Sequence, residues 1–193
     1  MERQRRDLDG KNAFERIEDA FWHLLAEKPF NKITISALSK TAQVNHNLIY
    51  YYFDNVEDMA KQLFERTVSG DIPQHILSML LNENASHENI IHSPELMMRI
   101  SRARLFMRSD SSYLNSIVKE KLQSEWLTAV GVERSQLTDS ERADIEFIFS
   151  GIVSVVGSPL FDENPEAIAT LYQRPLGRAI GETLKGFGAH SQS

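Results

Sequence analysis

The sequence predicts an all-α protein, and three observations support this. Apolar residues recur three and four positions apart along most of the chain, which is the spacing of one helix face. Alternating β-branched runs are scarce, with the short Ile33-Thr34-Ile35 as the exception. Turn-forming residues interrupt the helical pattern at intervals, which is typical of a series of separate helices.

The first third of the chain predicts a small helical head. Its predicted helices cover residues 12–27, 35–41 and 46–52, and a fourth begins after Asp54 or Asn55. Pro29 ends the first helix, because the residue before a proline is pushed out of the α region. Thr34 and Asn45 each precede a short apolar pattern and carry a side-chain oxygen that can cap a helix N-terminus.

Gly70 and Pro73 mark a boundary, so we predict one domain over residues 1–68 and a second over 69–193. The helices predicted in the second domain cover residues 73–84, 95–109, 112–130, 139–156 and 165–186. Pro175 is expected to kink the last of them. The predicted architecture is therefore a helical head on a larger helical bundle.

The helix predicted over 139–156 is apolar on nearly every face, so it should be buried on all sides. In a chain of 193 residues this favours a bundle that dimerises, although a central helix of a monomeric bundle would show the same pattern. The candidate interface residues are Phe149, Ile152, Val153 and Val156, with Ile180 and Leu184 from the last helix.

Composition narrows the class of protein. The net charge is −6, which argues against coating nucleic acid through bulk charge. The acidity is uneven: residues 1–66 hold 10 Lys/Arg and 11 Asp/Glu, whereas residues 67–193 hold 11 and 16. The chain has no cysteine, which excludes disulfides and thiolate metal sites and fits the cytosol. No apolar run approaches the roughly 20 residues of a membrane helix, and no secretory signal is predicted.

Residues 33–53 carry the most specific pattern, two short helices joined by about four turn residues. This is the layout of a helix-turn-helix, whose second helix can enter the DNA major groove and present side chains to base edges. The face predicted to be exposed on that helix offers His46, Asn47, Tyr50 and Tyr51, none of them acidic. Such a face suits a polyanion.

This stretch resembles the N-terminal domain of the TetR family of transcriptional regulators over residues 12–66. The matching positions are Thr34, Ile35, Leu38, Ala42, Val44, Ile49, Tyr50, Tyr52 and Phe53. Ser39 stands where alanine is usual and Gln43 where glycine is usual. Asn45 replaces serine or threonine, which leaves the capping chemistry unchanged.

The resemblance implies a DNA-binding regulator, with double-stranded operator DNA as its partner. By position, the base readers would be His46, Asn47 and Leu48 with Ser36, and the phosphate contacts Thr34, Asn45, Tyr50, Tyr51 and Lys61. Structural alternatives stand beside these roles: Leu48 could be buried, Tyr50 could be a packing aromatic, and His46 a solvated surface residue.

The resemblance further implies that the second domain binds a small-molecule effector and pairs its last two long helices with those of a second copy, in a repressor that the effector releases. Candidate pocket residues are Met97, Met98, Phe106, Met107 and Trp126. Methionine adapts to irregular shapes, but such a stripe is also what a plain core contains. Arg99, Arg102, Arg104 and Arg108 are predicted as a solvated face, with an anionic ligand as the alternative.

Two other classes of function compete with a regulator. One is a small helical enzyme or metalloprotein, but the sequence shows no zinc-protease helix motif, phosphate-binding glycine loop or nucleophile elbow. The other is a helix-turn-helix that binds only protein. We predict no enzymatic activity, no cofactor and no metal.

Overall fold

The computed structural model describes residues 11–68, 94–164 and 170–187, and the regular structure in these ranges is helical. The helices are α1 Ala13–Glu27, α2 Ile35–Ala42, α3 His46–Tyr52, α4 Val56–Thr67, α5 Pro94–Met107, α6 Ser112–Val130, α7 Asp139–Gly157, α8 Pro159–Glu163 and α9 Pro175–Gly186. Among these helices, none combines the length and apolar character needed to cross a membrane. The all-α prediction is confirmed, while the helix predicted over 73–84 lies outside the described residues.

Contacts divide the chain into two compact units. One unit extends to Arg66 and includes Ser109–Ser112, and the other begins at Thr67 and takes the remaining residues. Within the first unit, α1 packs on α2 and α2 packs on α3. Its core holds large apolar side chains with almost no exposed surface, namely Ile17, Phe21, Leu38, Ile49, Met59, Leu63 and Phe64.

Side-chain caps determine where the helices of the first unit begin. The Asn12 side chain accepts a hydrogen bond from the Glu15 N–H at 3.0 Å, and the Glu15 carboxylate accepts the Asn12 N–H at 2.7 Å. This reciprocal pair satisfies two donors that a helix N-terminus leaves free. At α4 the two candidate caps are distinguished, because Asn55 Oδ1 accepts the Asp58 N–H at 2.8 Å.

The second unit contains a buried arginine where a solvated face was predicted. The Arg104 guanidinium donates to the Val156 carbonyl at 2.9 Å and to Asp162 Oδ1 at 2.6 Å, and lies 4.1 Å from the centre of the Phe161 ring. The prediction of a solvated side chain is wrong for Arg104, because α8 supplies both a carboxylate and an aromatic partner. The hydrogen bond from Arg104 also holds the pKa of Asp162 below its usual value.

The backbones of two helices meet closely beside this arginine. A Cβ atom added at Gly157 would lie 2.7 Å from both the carbonyl carbon and the carbonyl oxygen of Met107. Only glycine allows α5 and α7 to approach to this distance. The end of α7 is therefore determined by a backbone contact as well as by side-chain packing.

The last predicted helix, over 165–186, is corrected from residue 170 onward, whereas residues 165–169 lie outside the described residues. A single 3₁₀ turn covers Leu171–Gln173, Arg174 is extended, and α9 begins at Pro175. Proline has no N–H to donate, so it fits the first position of a helix better than its interior. Pro175 therefore starts a helix instead of kinking one. The sequence analysis also missed α8, which follows directly after α7.

Candidate nucleic-acid interface

The helix α3 divides sharply into a buried and an exposed face. Ile49 is fully buried in the head, and Tyr52 packs edge-on against Phe14 with ring centres 5.2 Å apart. The exposed positions are His46, Asn47, Tyr50 and Tyr51, which share one side of the helix. Tyr51 is 78% exposed, although a large aromatic residue of a folded chain is usually covered. The exposed face of α3 is thus polar and aromatic, as the sequence predicted.

The caps place hydrogen-bonding groups at the N-termini of both helices in the motif. Thr34 Oγ1 accepts the Ala37 N–H at 3.1 Å, and Asn45 Oδ1 accepts the Leu48 N–H at 2.8 Å. Each cap still has a donor available, the Thr34 hydroxyl hydrogen and the Asn45 amide. Both residues are exposed, so these donors can reach a phosphate oxygen.

The remaining predicted contacts differ in exposure. Ser36 and Lys61 are exposed, whereas Leu48 is half-buried, so part of its side chain contacts the head. The exposed face of α3 carries no Asp, Glu, Lys or Arg side chain. Affinity for DNA must therefore rest on hydrogen bonds, aromatic contacts and cations elsewhere, such as Lys61.

The five candidate pocket residues have different environments. Phe106 and Trp126 are fully buried, Met107 is half-buried, and Met97 and Met98 are exposed. Trp126 packs on Phe149 with ring centres 4.7 Å apart, and its Nε1–H has no hydrogen-bond partner among the described residues. A small hollow among the described residues has a different lining: Gln123, Leu127, Arg134, Leu137, Arg142, Ile145 and Glu146.

The candidate dimer residues also differ in how far one protomer buries them. Phe149, Val153 and Leu184 are already buried within one protomer, so they have almost no surface left for a partner. These three residues belong to the protomer core, and their part in a dimer interface stays a prediction. The other three, Ile152, Val156 and Ile180, are half-buried.

The predicted dimer interface left out Phe147, a large apolar residue that α7 exposes. Phe147 is 80% exposed, and Gly151 and Ser154 continue the same exposed stripe at helical spacing. A Cβ atom added at Gly151 would meet no heavy atom within 4 Å. A signal was available in the sequence, because small residues follow an aromatic residue at four and seven positions on one helix face.

Comparisons with known proteins bear on the first unit. A family model described as bacterial regulatory proteins of the TetR family matches residues 17–63. Among solved structures, the chain is similar to the TetR family repressor AlkX from Dietzia sp. strain DQ12-45-1b, implicated in biodegradation of n-alkanes. That similarity has a TM-score of 0.38 and 17% sequence identity, and covers 90% of this chain and 95% of that chain. No curated protein sequence matches the chain significantly.

The matched residues begin within α1, end within α4 and contain the whole of α2, the turn and α3. They therefore include the caps and the exposed polar face described above. Over residues 17–63 the chain is therefore similar to the N-terminal domain of the TetR family of bacterial regulatory proteins.

Proposed function

We propose that this protein is a DNA-binding transcriptional regulator of the TetR type, which binds a near-palindromic operator as a homodimer and acts as a repressor that a small-molecule effector releases. The observation that carries operator binding is the exposed face of α3, which ends in Tyr51 at 78% exposure and holds no acidic side chain. Selection of bound fragments from a random DNA pool tests it. We expect enrichment of a two-fold symmetric site with half-sites about 34–36 Å apart, or a multiple of this distance.

Two other outcomes of the selection would point elsewhere. Enrichment of a single half-site by a monomer would contradict the dimer. Failure to enrich any sequence, at low salt and with folded protein, would favour a helix-turn-helix that binds protein. Both outcomes are readable without knowing the operator in advance.

Within α3, the effects of substitutions on DNA affinity should distinguish side chains that read bases from side chains that position the protein on the DNA. We expect His46→Ala and Asn47→Ala to weaken the selected site more than random DNA, by about 1–3 kcal/mol for a good base contact. Tyr50→Phe removes a donor to phosphate, so both DNAs should weaken alike. Titration of labelled operator and scrambled DNA measures the two affinities. Relaxed specificity in Tyr50→Phe, with none in the other two variants, would reverse the assignment.

The homodimer is supported by the exposed stripe of α7. Phe147 gives this stripe a large apolar side chain, and Gly151 and Ser154 would let a second helix approach closely. An aromatic residue beside small residues is well suited to a helix–helix contact, because a second helix can pack close to the small residues and cover the ring. Sedimentation at micromolar concentration should give twice the mass of 22.0 kDa.

Release by an effector rests on the family and is supported by one feature of the second unit. Among the described residues, the buried Nε1–H of Trp126 finds no acceptor, and such groups are rare because burial without a partner costs free energy. We propose that an acceptor atom of the effector binds it. Effector and operator should then weaken each other by the same factor, about 1–3 kcal/mol.

The variant Trp126→Phe tests this contact. It keeps an aromatic ring against Phe149 and removes the unpaired donor, so the free protein should remain folded. Once a thermal-shift screen has identified an effector, its affinity should fall by about three- to tenfold in this variant. Unchanged effector affinity in a folded Trp126→Phe protein would exclude the indole from the pocket.

A further inference from the structure

The turn between α2 and α3 contains a strained residue. Gln43 has φ 54° and ψ 46°, and among the described residues it is the one non-glycine residue with positive φ. In this left-handed conformation the Cβ atom crowds the following carbonyl oxygen, a cost that glycine avoids. The Gln43 side chain is exposed, so its packing within the head does not offset this cost.

Ser39 forms three hydrogen bonds with Gln43 and the residue after it. The Ser39 carbonyl accepts the Gln43 N–H and also the Val44 N–H, the latter at 3.1 Å. The Ser39 hydroxyl donates to the Val44 carbonyl at 2.5 Å. One side chain on α2 therefore holds the peptide group that joins Val44 to Asn45. Alanine at position 39 would keep the two backbone bonds and lose the third.

We propose that Ser39 is a positioning residue that offsets the strain at Gln43 and thereby sets the direction of α3. The Val44 carbonyl lies one residue before the cap Asn45, so its orientation determines how the chain enters the recognition helix. Without the hydroxyl, Gln43 can relax toward an unstrained conformation and α3 shifts on the head. This inference rests on the proposed binding of DNA by α3.

The test is a cycle of four proteins: the wild type, Ser39→Ala, Gln43→Gly and the double variant. We expect Ser39→Ala to weaken the selected operator by about three- to tenfold, the free-energy range of one hydrogen bond. Gln43→Gly alone should bind like the wild type, because glycine holds the left-handed turn without help. The double variant should also bind like the wild type, since the strain that Ser39 offsets is gone.

Melting temperatures separate positioning from simple stabilisation. Ser39→Ala should melt about 2–4 °C lower and Gln43→Gly about 2–4 °C higher than the wild type, with additive effects. Binding is measured well below every melting temperature, where a purely stabilising bond would leave operator affinity unchanged. Unchanged affinity in Ser39→Ala would overturn the proposal. A double variant as weak as Ser39→Ala would overturn it too, because Ser39 would then act independently of Gln43.

Hydrogen exchange of the α3 amides provides a readout that needs no DNA. We expect faster exchange at the start of α3 in Ser39→Ala and recovery in the double variant. If the wild type enriched no DNA sequence, the proposed function would fail. Hydrogen exchange would still show whether Ser39 positions α3. Equal exchange in the wild type and Ser39→Ala would refute the positioning role in either case.

Discussion

Replacement of Gly157 by alanine should destabilise the second unit by about 1–3 kcal/mol, the usual range for overpacking with a backbone shift. The added Cβ would lie 2.7 Å from two backbone atoms of Met107, and neither atom can rotate away as a side chain would. Either α5 or α7 must therefore move, which would disturb the bonds that Arg104 makes to the carbonyl of Val156 and to Asp162. We expect the melting temperature to fall by about 5–10 °C.

Gly186→Ala is the control for this prediction. Gly186 is the last residue of α9, outside the proposed interface, and a Cβ atom added there meets no heavy atom within 4 Å. Alanine should therefore raise stability by up to about 1 kcal/mol through helix propensity alone. Thermal unfolding of the two variants under one condition compares them directly. Equal melting temperatures would mean that the approach of α5 to α7 is looser than the distance implies.

Phe147→Glu should convert the proposed dimer into a monomer at micromolar concentration. Burial of a phenylalanine contributes about 1.5–3 kcal/mol, and two-fold symmetry places the substitution twice in each dimer. The introduced carboxylates would also be buried without a partner. We expect the dimer dissociation constant to rise by at least about 100-fold. Operator affinity should fall with it, because each monomer presents a single recognition helix.

Sedimentation and circular dichroism together test the change at Phe147. The side chain is 80% exposed in the protomer, so the helical signal should match that of the wild type. Leu160→Glu is a control, because it places the same charge at another exposed apolar position, outside the proposed interface. A dimer retained by Phe147→Glu would move the interface away from this face of α7. Loss of the dimer in both variants would indicate a general effect of negative charge.

The start of each helix in the motif could be predicted because its cause is local. Thr34 and Asn45 cap helices through amides only three residues away, so the sequence alone contains the whole interaction. The exposed face of α3 follows from its periodicity once Ile49 is assigned to the core. Operator contacts by His46 and Asn47 remain predictions, since they depend on a partner molecule.

The second unit was harder to predict because its features depend on residues distant in the chain. The partners of Arg104 lie more than 50 positions further along the sequence, so four spaced arginines suggested a solvated face. The helical pattern over 165–186 predicts that Pro175 lies inside a helix. In the structure Arg174 is extended and α9 starts at the proline.

The sequence by itself determined the helical class, the caps and the position of the helix-turn-helix, because each depends on interactions within one or two turns. Only the tertiary structure decided which apolar side chains the protomer covers. Periodicity places Phe149 and Phe147 on different faces of α7 but does not say which face the rest of the chain buries. Phe149 packs on Trp126, while Phe147 is left exposed. That choice arises from long-range packing, which a local pattern of residues does not encode.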